Sequence, residues 1–300
     1  MENYLDEKCG SNRWRFLSRG SFGQVFQCGD RYALKFQPVE NSSTQEEVWN
    51  ENRIPVRVAQ FCDESATECG ILQPIRPPEF RRLGNRNYAI SETPYISGGS
   101  AAEFRNSRAK ASTWNVPNFI SNVERLINSV VEMHALGLLH RDIKPDNILV
   151  EEFPGYNYEL LLTDFGGACS VFPNDQFQTC SGKYGTPNYF YPFAVLIDDL
   201  DIWLSPIVDD YAMAVSLWEI LMGKPFMPHW MANAFNQQLQ RGLSSRQEND
   251  LVHALRINYQ SNDDALRAKG IEKLNGLSNS DAEKWIQVIE IISRLTHPGV

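Results

Sequence analysis

The sequence predicts an α+β chain in which a strand-rich N-terminal part is followed by a larger, mainly helical C-terminal part. Two patterns predict it. Short apolar segments broken by Gly and Pro concentrate between residues 13 and 90, whereas long apolar stripes at helical spacing fall after residue 118. The composition supports such a core, with 42% hydrophobic and 22% charged residues among 300.

In chain order, strands are expected across residues 13–36, then a helix from Gln45 to Ala59. Pro55 bears on the length of that helix, because proline removes a backbone donor. Strands near Gly70-Ile71-Leu72 and Tyr88-Ala89-Ile90 flank a Pro- and Arg-rich loop, Pro74 to Asn87. Asn106 to Pro117 is polar and reads as a connecting insert. From Asn118 to Leu136, Phe119, Val123, Leu126, Ile127, Val130, Val131, Met133 and Leu136 form an amphipathic helix that Gly137 ends. His134 on that helix reads as structural. Ile148-Leu149-Val150 and Leu160-Leu161-Leu162 are buried strand candidates, and Asp210 to Met222 is apolar nearly all round, so it is expected inside the C-terminal part.

No apolar run approaches the roughly 20 residues of a membrane span, and Met1 to Asp6 lacks the features of a signal peptide. An intracellular place, cytoplasmic or nuclear, is expected. The six cysteines, Cys9, Cys28, Cys62, Cys69, Cys169 and Cys180, form no Cys-x-x-Cys pair, and free thiols are expected over disulfides. A net charge of −9 argues against a broad nucleic-acid-binding face.

Two polar runs carry the chemistry. His140-Arg141-Asp142-Ile143-Lys144-Pro145-Asp146-Asn147 precedes one strand candidate, and Thr163-Asp164-Phe165-Gly166 follows the next. Transfer of a γ-phosphoryl group needs a carboxylate at the acceptor hydroxyl, oxygen ligands for Mg²⁺ and a fixed positive charge near the phosphates. Asp142, Asn147 with Asp164, and Lys144 supply these. Two solvated turns between buried strands would be the plain reading, and the number of fixed offsets matched stands against it.

These runs resemble the catalytic loop and Mg²⁺-binding segment of the eukaryotic-type protein kinase family, Ser/Thr class. The resemblance extends upstream. Leu17-Ser18-Arg19-Gly20-Ser21-Phe22-Gly23-Gln24-Val25 is similar to the glycine-rich loop that closes over ATP phosphates, with Ser18 in place of the first glycine. Its nucleotide-contact positions here are Leu17, Ser18, Gly20, Ser21, Phe22, Gly23 and Val25. Tyr32-Ala33-Leu34-Lys35-Phe36 is similar to the third strand, which makes Lys35 the phosphate anchor. Glu47 and Glu51 compete as its partner, and Glu51 is favoured because Ile54 follows it by three positions. Glu92 marks the hinge that would meet adenine, with Ser91 guarding the back of the pocket. Ser97-Gly98-Gly99-Ser100 resembles the segment after the hinge, placed slightly late.

The resemblance implies a bilobal fold, with an N-lobe over residues 1–92 and a C-lobe over 93–300, in one catalytic domain of about 13–300. It implies ATP and Mg²⁺ as cofactors and protein Ser/Thr hydroxyls as acceptors. Gly185-Thr186-Pro187-Asn188-Tyr189 looks like the substrate-facing end of the activation segment, where the Thr186 hydroxyl would bridge Asp142 and Lys144. Asp209 matches the aspartate that receives the His140-Arg141 backbone. Arg141 could pair with a phosphate on Thr179, Ser181 or Tyr184.

One departure lies at Tyr191-Pro192-Phe193, where the family has Ala-Pro-Glu, and the arginine that pairs with that glutamate is expected to be absent as well. Losing one partner would strand a buried charge at about 3–5 kcal/mol, whereas losing both can be near neutral. A compact, divergent kinase of this kind is a form often met in viruses. The alternatives are a pseudokinase acting as a nucleotide-binding scaffold, against which all three catalytic positions are present, and a small-molecule kinase of related fold, against which Lys144 and Gly185-Thr186-Pro187 stand.

Overall fold

A computed structural model describes residues 1–20, 23–106, 115–154, 157–173 and 176–297. Helix α1 (Glu2–Cys9) leads into an antiparallel sheet of β1 (Trp14–Gly20), β2 (Gly23–Cys28), β3 (Tyr32–Pro38), β4 (Arg76–Leu83) and β5 (Arg86–Pro94), in the order β1-β2-β3-β5-β4. One face of it buries Leu5, Phe26, Leu34, Phe36 and Ile90. Phe36 meets Phe26 edge-on at 5.5 Å. Each such side chain, fully buried, contributes roughly 1.5–3 kcal/mol.

Helix α2 (Ser42–Glu64) lies between β3 and β4 in sequence. It starts at a reciprocal cap, in which Asn41 Oδ1 accepts from the Thr44 N–H at 3.0 Å and Thr44 Oγ1 accepts from the Asn41 N–H at 3.2 Å. The helix runs further than the Gln45–Ala59 expectation and passes through Pro55. Proline inside a helix costs about 3 kcal/mol because it cannot donate to the carbonyl four residues back, here Glu51. Burial of Ile54, Pro55, Val58 and Cys62 along one stripe offsets it at roughly 1.5–3 kcal/mol for each large side chain.

Two further expectations are corrected. The Pro74–Asn87 stretch is not a loop, since β4 occupies most of it. Its prolines are accommodated because β4 is an edge strand and the register shifts between Arg76 and Glu79. Gly70-Ile71-Leu72 forms only a single bridge from Ile71 to Leu162, not a strand of the sheet.

The cysteines are not free. All six pair, as Cys9–Cys28, Cys62–Cys69 and Cys169–Cys180. Tertiary placement decides this. The unforeseen α1 lays Cys9 beside β2, and the extra turns of α2 carry Cys62 to the point where the chain doubles back to Cys69.

The larger lobe comprises α3 (Ala101–Asn106), α4 (Val116–Ala135), β6 (Leu138–Leu139), β7 (Ile148–Phe153), β8 (Asn157–Leu162), β9 (Cys169–Ser170), α5 (Pro192–Ile197), α6 (Leu200–Trp203), α7 (Ile207–Met222), α8 (His229–Arg241), α9 (Ser245–Leu274) and α10 (Asn279–Thr296). Most of the expected insert, residues 107–114, lies outside the described residues, and α4 begins at Val116 with Pro117 in its first turn. The expected stripe of α4 is buried at Phe119, Val123, Leu126, Val130 and Met133. From the same helix, buried Asn122 accepts from the Leu160 N–H at 2.7 Å and donates to the Tyr158 carbonyl at 2.9 Å, which fixes β8 and the residues it delivers. Helix α7 is buried on nearly every side. Among the described residues, no helix is long and apolar enough to cross a membrane.

Candidate active site

Strand β3 presents Lys35 between Val25 of β2 and Ser91 of β5. Lys35 Nζ lies 2.5 Å from Glu51 Oε1 and 3.0 Å from Asp164 Oδ1. The choice between glutamates therefore falls on Glu51, which faces the sheet one helical turn beyond Glu47. Burial works against the Lys35 ammonium, but the Glu51 and Asp164 carboxylates outweigh it and raise its pKa. Burial likewise works against the Asp164 carboxylate, and the Lys35 charge and hydrogen bond overcome it, holding Asp164 below the usual carboxylate range. Next to Glu51, Asn52 donates to Ser91 Oγ at 2.9 Å, so the residue behind the pocket is tied to α2.

The loop after β6 converges on Asp142. Lys144 Nζ donates to Asp142 Oδ2 at 2.6 Å and to Thr186 Oγ1 at 2.8 Å, and Thr186 Oγ1 donates to Asp142 Oδ1 at 2.7 Å. Asn147 Nδ2 donates to the Asp142 carbonyl at 2.8 Å. Two non-glycine residues here hold left-handed backbone, Arg141 at φ 68° and Asp164 at φ 62°. Such strain costs about 1–3 kcal/mol each and persists only where neighbours impose it. For Arg141 the neighbour is Asp209 of α7, whose carboxylate accepts from the N–H groups of His140 and Arg141 at 2.7 Å each. His134 stands 3.3 Å from the same carboxylate, the structural place expected of it. For Asp164, Phe165 is buried against the His140 ring at 4.9 Å, and His140 Nε2 lies 3.1 Å from the Thr163 carbonyl.

The glycine-rich stretch is a β1–β2 hairpin in which Gly20 pairs with Gly23 and Ser18 with Val25, and Leu17 sits at a register shift. Ser21 and Phe22 lie outside the described residues. Gly23 has φ +153°, and a Cβ there would fall 2.3 Å from the Phe36 carbonyl oxygen. Only glycine fits that approach of backbone to backbone. At the other side of the cleft Glu92 remains within β5, its carbonyl accepting from the Ile75 N–H at 2.8 Å and its side chain paired with Arg76. Gly98 and Gly99 exchange backbone hydrogen bonds with Val150 at 3.0 and 2.9 Å, which joins this crossing segment to β7.

Gly185, just before Thr186, has φ +127°, and a Cβ on it would lie 2.5 Å from the Arg141 carbonyl oxygen. Gly185→Ala is expected to destabilise the fold by at least about 1–3 kcal/mol from strain alone. Urea unfolding of the two proteins measures the difference. Arg141 does not reach outward, because Nε donates to the Gly167 carbonyl at 2.8 Å and Nη1 to the Ser181 carbonyl at 3.1 Å. Its guanidinium lies 5.0 Å over the Tyr184 ring. Where the resemblance places a glutamate, Phe193 stacks on Tyr191 at 5.9 Å, and Trp203 meets Phe190 edge-on at 4.9 Å.

Sequence reasoning missed several supports of this segment. Asn50 of α2 lies 3.4 Å from the Ala168 carbonyl and from Gln178 Oε1. Buried Glu219 of α7 accepts from the Phe226 N–H at 2.8 Å and from the Tyr189 hydroxyl at 3.0 Å. Asn50 and Glu219 are polar residues inside otherwise apolar helical faces, which was the signal available.

The donor set suits Mg²⁺ and a nucleotide. Asn147 uses its amide nitrogen on Asp142, which leaves its oxygen as a ligand. The Thr163 N–H bonded to the Asn147 carbonyl at 3.0 Å sets the neighbouring Asp164 carboxylate beside it. Hard oxygen ligands few in number fit an ion that keeps phosphate oxygens and waters in its shell. Among the described residues no group of three or more His, Cys, Asp or Glu is arranged to hold a metal.

A small antiparallel sheet with two helices, α1 and α2, over a helical lobe, with a lysine, a carboxylate loop and an asparagine–aspartate pair in the cleft, defines a bilobal kinase architecture. The Protein kinase domain family matches residues 12–292, and the chain belongs to that family. It is 32% identical over 229 residues to a serine/threonine-protein kinase of Drosophila melanogaster, covering 70% of this chain and 26% of that protein. It is 30% identical over 216 residues to a probable leucine-rich-repeat receptor-like serine/threonine-protein kinase of Arabidopsis thaliana, covering 69% and 36%. With the human liver/testis phosphorylase b kinase gamma catalytic chain it shares 32% over 112 residues, 37% of this chain and 25% of that one. The chain spans between 12% and 36% of the length of the curated relatives it matches.

Proposed function

We propose that the protein is a serine/threonine protein kinase that transfers the γ-phosphoryl group of ATP to protein hydroxyls. The observation that carries this reading is the closed triangle of Asp142, Lys144 and Thr186, with sides of 2.6, 2.7 and 2.8 Å. Asp142 would orient the acceptor hydroxyl and take its proton. Thr186 would hold Asp142 and border the acceptor, and Lys144 would lie against the transferring phosphoryl group as its charge shifts. Lys35, fixed by Glu51, would anchor the nucleotide phosphates under the β1–β2 hairpin that carries Leu17, Ser18, Gly20, Gly23 and Val25. When bound, Mg²⁺ on Asn147 and Asp164 would neutralise phosphate charge. Glu92, expected at the hinge, is instead paired on both sides within β5, which runs on to Pro94, so the hinge between the lobes expected over 1–92 and 93–300 would follow that strand. The Ser/Thr preference rests on Lys144 and Thr186, since tyrosine-specific relatives usually lack a lysine at that place in the loop.

Labelled ATP and Mg²⁺ with generic protein substrates test this. Label on phosphoserine and phosphothreonine is expected, and lost with Asp142→Asn. Label on phosphotyrosine would overturn the specificity, and nucleotide binding with no transfer to any protein would overturn the enzyme.

A further inference from the structure

The segment between Asp164 and Thr186 carries a covalent tie that the proposed chemistry does not use. Cys169 in β9 is bonded to Cys180. On one side, β9 pairs with β6, Leu138 facing Ser170 and Leu139 facing Cys169. On the other, the Ser170 N–H donates to the Gln178 carbonyl at 2.8 Å and the Cys180 N–H to the Ser170 carbonyl at 2.7 Å. The chain around Cys180 is thereby laid along β9, which is itself laid along the strand that enters the catalytic loop.

Arg141, the neighbour of Asp142, is bonded on both flanks of the bridge, to Gly167 before it and Ser181 after it. Gly185 and Thr186 follow directly. The disulfide therefore acts beside backbone bonds, the carbonyl contacts to Arg141, the Asn50 contacts to Ala168 and Gln178 and the Lys183–Asp198 ion pair in ordering this segment. Bonds to neutral carbonyls at a partly exposed loop are individually modest. The disulfide is the one part of the clamp that can be opened chemically.

Resting on the kinase reading above, we propose that Cys169–Cys180 is a redox modification site. Oxidised, the pair holds Thr186 on Asp142; opened by a dithiol, it lets the segment loosen and slows phosphoryl transfer. A thiolate of the dithiol attacks Cys180 Sγ, Cys180 being the more exposed residue of the pair at 8% against 0% for Cys169. The sulfur–sulfur bond breaks, its electron pair passes to Cys169 Sγ, and that sulfur takes a proton. The second thiol then attacks the mixed disulfide, leaving the reagent as its disulfide and Cys180 as a thiol. Two electrons enter the protein and two thiols result. A disulfide of this kind persists in oxidising surroundings and opens in reducing ones, so the pair ties activity to compartment.

The test titrates the unmodified chain with dithiothreitol, reads each bridge by alkylation and peptide mass, and follows hydrogen exchange and phosphoryl transfer together. Opening of Cys169–Cys180 is expected to raise exchange over residues 176–186 at least tenfold and lower transfer at least fivefold, both restored by reoxidation. A variant carrying Cys9→Ser, Cys28→Ser, Cys62→Ser and Cys69→Ser keeps the response, and Cys169→Ser with Cys180→Ser loses it. Free thiols at Cys169 and Cys180 in protein purified under air would overturn the proposal, as would opening that changes neither exchange nor transfer. Transfer that is intact and indifferent to the bridge overturns this proposal alone. Transfer absent in both redox states overturns the kinase reading, and control over transfer with it.

Discussion

Asp142→Asn is expected to lower phosphoryl transfer by about 10²–10⁴-fold, the usual contribution of a positioned general base, with nucleotide affinity held. The substitution keeps the volume of a residue only 8% exposed, and the Asn147 bond to its backbone carbonyl does not depend on the side chain. What it removes is the acceptor. The carboxylate oxygens face Lys144 and Thr186, both donors, and an amide nitrogen in either place sets donor against donor. The nucleotide anchor is separate, because Lys35 is bonded to Glu51 and Asp164 and not to Asp142. Lys35→Met should therefore act differently, weakening nucleotide binding and releasing α2 from the sheet. Steady-state kinetics on both variants beside direct nucleotide titration separates the two. If Asp142→Asn lost nucleotide binding as completely as transfer, Asp142 would be a structural residue and not the base.

The residues proposed to touch the reacting groups were the most legible part of the sequence, because that chemistry demands fixed types at fixed offsets. Asp142, Lys144 and Asn147 share one loop, so their local backbone alone brings them together. Asp209 could be read because the run Asp209 to Met213 resembles the family's pattern at the start of this buried helix. Contacts between segments far apart in sequence were less legible. Glu47 and Glu51 differ by one helical turn, and only the packing of α2 on β3 selects Glu51. The extension of α2 past Ala59 to Glu64 follows from burial of Cys62, which a propensity argument cannot see. Strand β4 hid behind Pro77 and Pro78, which an edge strand tolerates at a bulge. The disulfides were hidden most deeply, since six cysteines admit many pairings and each bridge here depends on an element boundary that the sequence left loose.

Removal of the Asp209 carboxylate carries the second large effect. Asp209→Ala leaves the N–H groups of His140 and Arg141 without their acceptor in a place where Asp209 itself is 1% exposed. At about 1–3 kcal/mol for each stranded buried donor, the fold should lose about 2–6 kcal/mol. Transfer should fall as well, because Arg141 holds a left-handed backbone only while both N–H groups are drawn toward α7, and Asp142 is the next residue. A displacement of the Asp142 carboxylate by about 1 Å would be enough for a 10²-fold loss of the proposed transfer. Asp209→Asn retains one carbonyl acceptor and should lie between the two. Burial pushes the Asp209 pKa up, but the hydrogen bond from His134, the charges of His134 and His140 and the His140 N–H outweigh it, so the folded value lies below the ordinary one. Its ionisation then adds stability that is complete above the unfolded value, about 3.9, and is lost as the pH falls through the folded value. The stability gap between the unmodified chain and Asp209→Asn, measured by denaturant unfolding, should therefore be widest near neutral pH and narrow in acid, where a protonated Asp209 resembles the amide. A gap that stayed constant down to acid would mean that the charge on Asp209 does not hold the loop, and that its shape alone does.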